Sequence, residues 1–155
     1  MKRWTQAAGN RAGKRSGNVM LEFALGSAVL IAALTGTFEF GYTFLQYNNL
    51  LNAVARGARY ASLVPYDSAS STPSVAFTAA VRNMVLYGSP APGASPALRG
   101  LTPENVNLTV TFAGGIPSTM TVSISGYPID SVFGVITLSN KPRVTYAYQG
   151  IWTPI

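Results

Sequence analysis

The side chains that could do chemistry in this 155-residue chain are few: five carboxylates, eleven Lys and Arg, no His and no Cys. Without His there is no imidazole to act as acid–base catalyst or metal ligand. Without Cys there is no thiolate nucleophile, thiolate metal site or disulfide. A Ser–Lys pair would be the remaining route to an activated nucleophile. Lys141 is the one Lys beyond the N-terminal tail, and it stands in no such motif. Asp67, Glu104 and Asp130 are far apart in sequence, each beside turn-forming residues. That is where Asp and its neighbours cap or solvate turns. Gly114-Gly115 is not a phosphate loop, because no Lys-Ser/Thr follows it. Asn107-Leu108-Thr109 matches a glycosylation sequon inside a strand pattern and reads as coincidence. We therefore expect no enzyme, no cofactor, no metal site and no small-molecule substrate.

The remaining chemistry lies in Glu22. It is the one charged residue in the run Val19 to Phe38, V-M-L-E-F-A-L-G-S-A-V-L-I-A-A-L-T-G-T-F. About 20 apolar residues rising 1.5 Å each cross a hydrocarbon core of roughly 30 Å. A carboxylate at the centre of a bilayer costs roughly 2.5–3.5 kcal/mol on insertion scales, and less near the interface. Two readings follow: a functional charge that is paired within the membrane, or a carboxylate at headgroup depth with no particular role. Spacing alone does not separate them.

Charge sets the orientation of this run. Lys2, Arg3, Arg11, Lys14 and Arg15 precede it with no acid among them, and the rest of the chain holds six basic residues against five acidic ones. The net charge of +6 thus belongs to a tail and not to a folded basic face, so no nucleic-acid partner is expected. Basic residues flanking one end of an apolar segment hold that end in the cytoplasm. The run exceeds the apolar core of a secretory signal peptide, and its helical pattern does not stop. Counted from Gly36, Phe40, Phe44, Tyr47, Leu51, Val54 and Ala58 follow at helical spacing, and no Pro occurs before Pro65. One helix from about Asn18 to about Tyr60 is predicted, on the order of 60 Å long. Ala28, Ala32 and Gly36 form a small-residue stripe of the kind that lets membrane helices approach closely. Arg56 and Arg59 lie further out and read as a solvated face.

Beyond the helix the chain changes character. P-Y-D-S-A-S-S-T, residues 65–72, is a turn-rich linker. Thr72-Pro73-Ser74 then opens a short amphipathic helix over Val75–Tyr87, with Val75, Phe77, Val81, Met84 and Val85 as its apolar side and Gly88 as its end. Residues 89–100 are a Pro/Gly loop. Val106–Phe112, Met120–Ile124 and Val144–Tyr148 read as strands, the first two joined through A-G-G-I-P-S-T. Ser131–Leu138 is either a helical turn or an irregular crossing. The fold class is α+β: a long N-terminal helix, transmembrane and then amphipathic, with a small domain of a short helix and a roughly three-stranded antiparallel sheet. The divisions are a leader at 1–17, a transmembrane helix at 18–39, its continuation at 40–62 and an outer domain at 63–155. So small a domain buries little core by itself, so the outer end of the helix is expected to pack on it.

The stretch R-S-G-N-V-M-L-E-F-A-L, residues 15–25, resembles the prepilin-peptidase site of type IV pilins: a basic leader ending in Gly, then an apolar helix with Glu at the fifth position. Gly17 would end the leader, Asn18 would begin the mature chain, and the pair Glu22-Phe23 is similar to the Glu-aromatic pair of the Flp/Tad (tight adherence) branch. N-N-L-L-N-A-V-A-R-G-A-R-Y-A-S, Asn48 to Ser62, is similar to the A-x-R-x-G-A-R-Y-A pattern of TadE-like proteins, with Ala55, Arg56 and Gly57 contiguous. M-T-V-S-I-S-G-Y-P-I-D-S-V-F-G resembles the late strand and Tyr/Pro bend of the same family.

The resemblance implies a membrane peptidase cutting after Gly17, N-methylation of the new amine at Asn18, and Glu22 docking the subunit by pairing with a neighbour's terminal amine. Residues 18 and 22 are also i and i+4 on one helix, so pairing within the chain is open as well. The implied partners are prepilin peptidase, other pilin or pseudopilin subunits, an inner-membrane assembly platform and the membrane itself. The implied location is the bacterial inner membrane, N-terminus cytoplasmic and C-terminus periplasmic, with entry into an extracellular pilus. The functions in competition are a Tad-type minor pilin or pseudopilin, a type II secretion pseudopilin, and an unprocessed single-pass anchor presenting a periplasmic binding domain.

Overall fold

The computed structural model describes residues 12–153, with side chains from residue 17. Residues 1–11 of the leader assignment lie outside the described residues. The first element, α1, spans Ala12–Leu63 without interruption. Nothing in its sequence breaks a helix, and it ends where Val64 meets Pro65, whose ring forbids further helical bonding. The chain nevertheless divides into two units, one ending at Gly41 and the other beginning at Tyr42.

The first unit is helix alone. Val19, Phe23, Val29, Ile31 and Phe38 stand exposed on it. Two of its hydroxyls bond back to the helix: Ser27 Oγ donates to the Ala24 carbonyl at 2.9 Å, and Thr37 Oγ1 to the Ala33 carbonyl at 2.9 Å. The helix is long and apolar enough to cross a membrane, and its backbone groups bond within the helix as a membrane span requires.

The second unit is the α+β domain. Its core-facing helix residues are Leu50, Ala53, Val54, Gly57, Ala58 and Ala61, all buried. They recur at intervals of three and four, as one helical face must. The stripe expected from sequence is corrected here. Val54 and Ala58 belong to the buried face, but Phe40 and Phe44 are 75% and 59% exposed, and Leu51 is half-buried. The face that packs is built on small residues, and the aromatics lie off it.

The second helix, α2, covers Val75–Tyr87. Ser74 is its N-cap, accepting from the Phe77 amide at 3.0 Å, and Gly88 closes it in the left-handed conformation at φ 71°. Phe77, Val81, Val85 and Leu86 are buried. Val75, expected on the apolar side, is 89% exposed: it sits at the first position of the helix, beyond the edge of the core.

A 3₁₀ turn, Pro103–Asn105, leads into the strands. β1 (Val106–Ala113) pairs antiparallel with β2 (Ile116–Ile124), and β2 with β5 (Arg143–Ala147), so β2 is central. The β1–β2 turn is only Gly114-Gly115, both at positive φ (62° and 82°), the geometry of a two-residue hairpin. Ile116 to Thr119, expected in the connector, belong to β2. On the core face Val106 lies opposite Ile124, Leu108 opposite Val122 and Val110 opposite Met120. The other face carries hydroxyls: Thr111 bonds Thr119 at 2.6 Å and Thr121 bonds Thr145 at 2.8 Å. Residues 128–137, which include most of the segment left undecided from sequence, form a separate hairpin of β3 (Pro128–Ser131) and β4 (Gly134–Thr137).

Candidate functional site

The residues singled out for processing and docking all lie on the first unit. Gly17, Asn18, Glu22 and Phe23 occupy successive turns of α1 and are exposed. Asn18 and Glu22 share a face one turn apart. Ala28 and Ala32 are exposed and Gly36 is half-buried. Four residues overshoot one turn, so this stripe drifts around the helix, from about 120° away from Glu22 at Ala28 to about 40° away at Gly36. A Cβ added at Gly17, Gly26, Gly36 or Gly41 would meet nothing within 4 Å. Most residues from Val19 to Phe38 are exposed, and Glu22 is the one carboxylate among them.

The Ala55–Tyr60 block lies on the second unit and works differently. A Cβ at Gly57 would lie 2.3 Å from Val85 Cγ2, far inside contact distance. Gly57 therefore lets α2 lie directly against α1, and Ala53, Ala58 and Ala61 on the same helix are small and buried as well. Arg56 and Arg59 are exposed on the outer side. The block is a packing device with a charged outer edge. Sequence reasoning placed its arginines correctly but missed the role of Gly57; the available signal was the run of small residues at helical spacing around it.

A second set of residues had no signature. Tyr66 is fully buried and meets the rings of Phe77, Phe112 and Tyr148 edge-on. Its hydroxyl donates to the Ser70 carbonyl at 2.7 Å, and its amide donates to Tyr148 Oη at 2.8 Å and to the Ile151 carbonyl at 3.0 Å. Trp152 Nε1 donates to the Ser68 carbonyl at 3.0 Å, and the Thr153 amide to the Tyr66 carbonyl at 3.0 Å. The end of the chain is thereby stitched to the segment that follows α1. Burial pushes the phenols of Tyr66 and Tyr148 above their ordinary pKa.

The carboxylates of this unit serve turns. Asp67 Oδ2 accepts from Ser74 Oγ at 2.6 Å, so Asp67 fixes the hydroxyl that caps α2, while its Oδ1 is buried without a partner. The Thr102 hydroxyl beside Glu104 holds that exposed carboxyl below its usual range. Asp130 is exposed on β3. Among the described residues no three His, Cys, Asp or Glu come together as a metal site.

The comparisons with known proteins bear on the N-terminal part of the chain. No curated protein and no solved structure matches it. The family model for TadE-like proteins matches residues 17–59, which hold both the open apolar helix and most of the Ala55–Tyr60 packing block. From Gly17 to Arg59 the chain is thus similar to TadE-like proteins.

Proposed function

We infer that the chain is a structural, non-catalytic subunit of a Tad-type pilus system, a minor pilin or pseudopilin. It is anchored in the inner membrane with its N-terminus cytoplasmic and its α+β unit periplasmic. Prepilin peptidase cuts it after Gly17, and Glu22 with Phe23 then docks it against other pilin subunits and the assembly platform. The observation that carries this reading is the TadE-like match over residues 17–59 on a helix whose apolar surface is interrupted by a single carboxylate, five positions after Gly17.

The physical argument concerns that carboxylate. A charge in apolar surroundings persists where it is paired. Cleavage after Gly17 would create a cationic amine at Asn18, one turn from Glu22 in the same chain and available to a neighbour's Glu22 as well. The stripe Ala28, Ala32, Gly36 supplies close helix approach for the same assembly. The Ala55–Tyr60 block favours a Tad machine over type II secretion, the alternative with the same leader chemistry.

Intact-mass measurement on membrane protein from the native host tests processing. The expected mature chain begins at Asn18; one that begins at Met1 identifies an unprocessed anchor, and one cut near Ala33 identifies a signal peptide. Glu22→Gln retains size and removes charge. It is expected to insert and to be cut, yet to be absent from the assembled complex. Full piliation by processed Glu22→Gln protein would show the charge to be dispensable.

A further inference from the structure

The main sheet of the second unit has two edges, β1 and β5, and they are finished differently. The Ile124 amide donates to the Pro142 carbonyl at 3.2 Å, and the Tyr148 amide to the Ser118 carbonyl at 2.8 Å. Successive residues of a strand turn their N–H and C=O to opposite sides. The even-numbered residues of β5 therefore bond inward to β2, and Arg143, Thr145 and Ala147 turn their backbone groups outward. All three residues are exposed, and among the described residues no strand pairs with that side. By the same alternation β2 bonds β1 through Thr119, Thr121 and Ser123, which leaves Val106, Leu108 and Val110 facing out from β1. There Arg82 Nε of α2 donates to the Val106 carbonyl at 3.2 Å, and the Val106 amide donates to the Pro103 carbonyl. From Arg143 to Ala147 β5 has no Pro, no Gly, no bulge and a single charge. Such an open edge is a template for another strand.

The sequence of β5 indicates which strand fits it. Set antiparallel to a second copy of itself, with a two-fold axis at Thr145, it pairs Thr145 with Thr145 and Arg143 with Ala147. That register uses every outward backbone group from Arg143 to Ala147, whereas either neighbouring register leaves one outward residue of each strand unpaired. Charge agrees with it. Arg143 stands opposite Ala147 of the second copy, and the two Arg143 lie about 14 Å apart, beyond the screening length of about 8 Å. The side chains agree as well. Thr145 meets Thr145 and prolongs the hydroxyl row in which Thr121 bonds Thr145 at 2.8 Å. On the other face Tyr146, 40% exposed, comes to lie beside Val144 of the second copy.

We propose that β5 is a self-association edge: two copies of this chain join antiparallel through Arg143–Ala147, about a two-fold axis at Thr145, into one sheet with three strands from each. The proposal concerns the α+β unit alone. It does not depend on the membrane span, on cleavage after Gly17, on Glu22 or on the Tad assignment.

The chain contains no Cys, so introduced thiols report alone. Full-length Val144→Cys and Tyr146→Cys proteins, carrying different tags, are mixed in detergent and mildly oxidised. In this register, position 144 and position 146 of the other copy form a non-hydrogen-bonded pair about 4.5 Å apart at Cα, within the reach of a disulfide. A mixed disulfide is expected, with little of either homodisulfide and none from Thr109→Cys on β1. Ala147→Arg brings like charges together twice and should weaken the dimer about two- to thirtyfold by sedimentation. Ala147→Glu should strengthen it, and Arg143→Glu combined with Ala147→Arg should restore it. Thr145→Pro, a substitution that a strand edge tolerates, removes the central outward donors. It should leave the unit folded by near-ultraviolet dichroism and monomeric. A monomer at every concentration would overturn the proposal. So would equal yields of mixed disulfides and homodisulfides, or a dimer indifferent to residues 145 and 147, which would place the contact elsewhere in the chain. Cross-linking of position 144 to a different protein in host membranes would give the edge to another strand and overturn it as well.

Discussion

One helix runs through both units of this protein, yet its two parts are built on opposite rules. Up to Gly41 it carries large apolar side chains outward, with Phe23 and Phe38 three-quarters exposed. From Leu50 onward it buries a face rich in Ala and Gly, with Gly57 against a second helix. The backbone is the same, because helix formation is local. What differs is the covering. A lipid-facing surface gains from bulk, whereas a packed helix crossing gains from its removal, since close approach multiplies dispersion contacts. The comparison teaches that a glycine has no fixed meaning in this helix: Gly36 faces open space, and Gly57 faces Val85.

The contrast can be broken most severely at the aromatic stitch. Tyr66→Ala removes a fully buried ring with its hydrogen bonds, and a loss of about 3–5 kcal/mol from the second unit is expected. Thermal unfolding of detergent-solubilised protein followed by near-ultraviolet dichroism reads it. The first unit, having no share in that core, should keep its far-ultraviolet helix signal.

A smaller effect tests the two glycines against each other. Gly57→Val drives a branched side chain into Val85 and should cost about 1–3 kcal/mol. Val85→Ala should recover part of that loss in the double mutant, because the two positions share one contact. Gly36→Leu should leave the melting temperature unchanged and weaken cross-linking to partner subunits. Equal destabilisation by both glycine substitutions would remove the distinction drawn here.

Ser74→Ala should remove the α2 cap and about 1 kcal/mol, again read in the melting temperature of the second unit alone. The smallest effect is in pH. Burial raises the pKa of Tyr66, Tyr127 and Tyr148 in the folded state. Their contribution is therefore complete below the ordinary phenol value near 10 and declines as pH rises through the raised values. A melting temperature that is flat near neutrality and falls only in this alkaline range is expected. A decline beginning at neutral pH would point to other groups.

Much of the fold was legible in advance because it is decided within a few residues. The absence of Pro before residue 65 allows the long helix, and Ser74 and Gly88 bracket α2. Alternation marks β1 and the core half of β2. Of the candidate site, Glu22 and the small stripe stand out by type and spacing and Gly17 by the resemblance, and α1 carries all of them. The β3–β4 hairpin was not. Asp130, Val132, Phe133, Val135 and Ile136 show no alternation, since exposed apolar residues on both faces obey no core-facing period.

By itself, then, the sequence determined the two helices and the three strands of the main sheet, where the chain is apolar enough to cross a membrane, and that imidazole and thiol chemistry are absent from it. Only the tertiary structure decided which helix face is buried: Leu50 and Ala53 join the core, and Gly57 does so against Val85 of α2. It also decided that Tyr66, Tyr148 and Trp152, 82 to 86 residues apart in pairs with the first, hold the end of the chain to the segment following α1. Periodicity is a property of neighbours along the chain. Contact across such separations is set by the cost of closing the loop against the burial gained, and no local pattern encodes that balance.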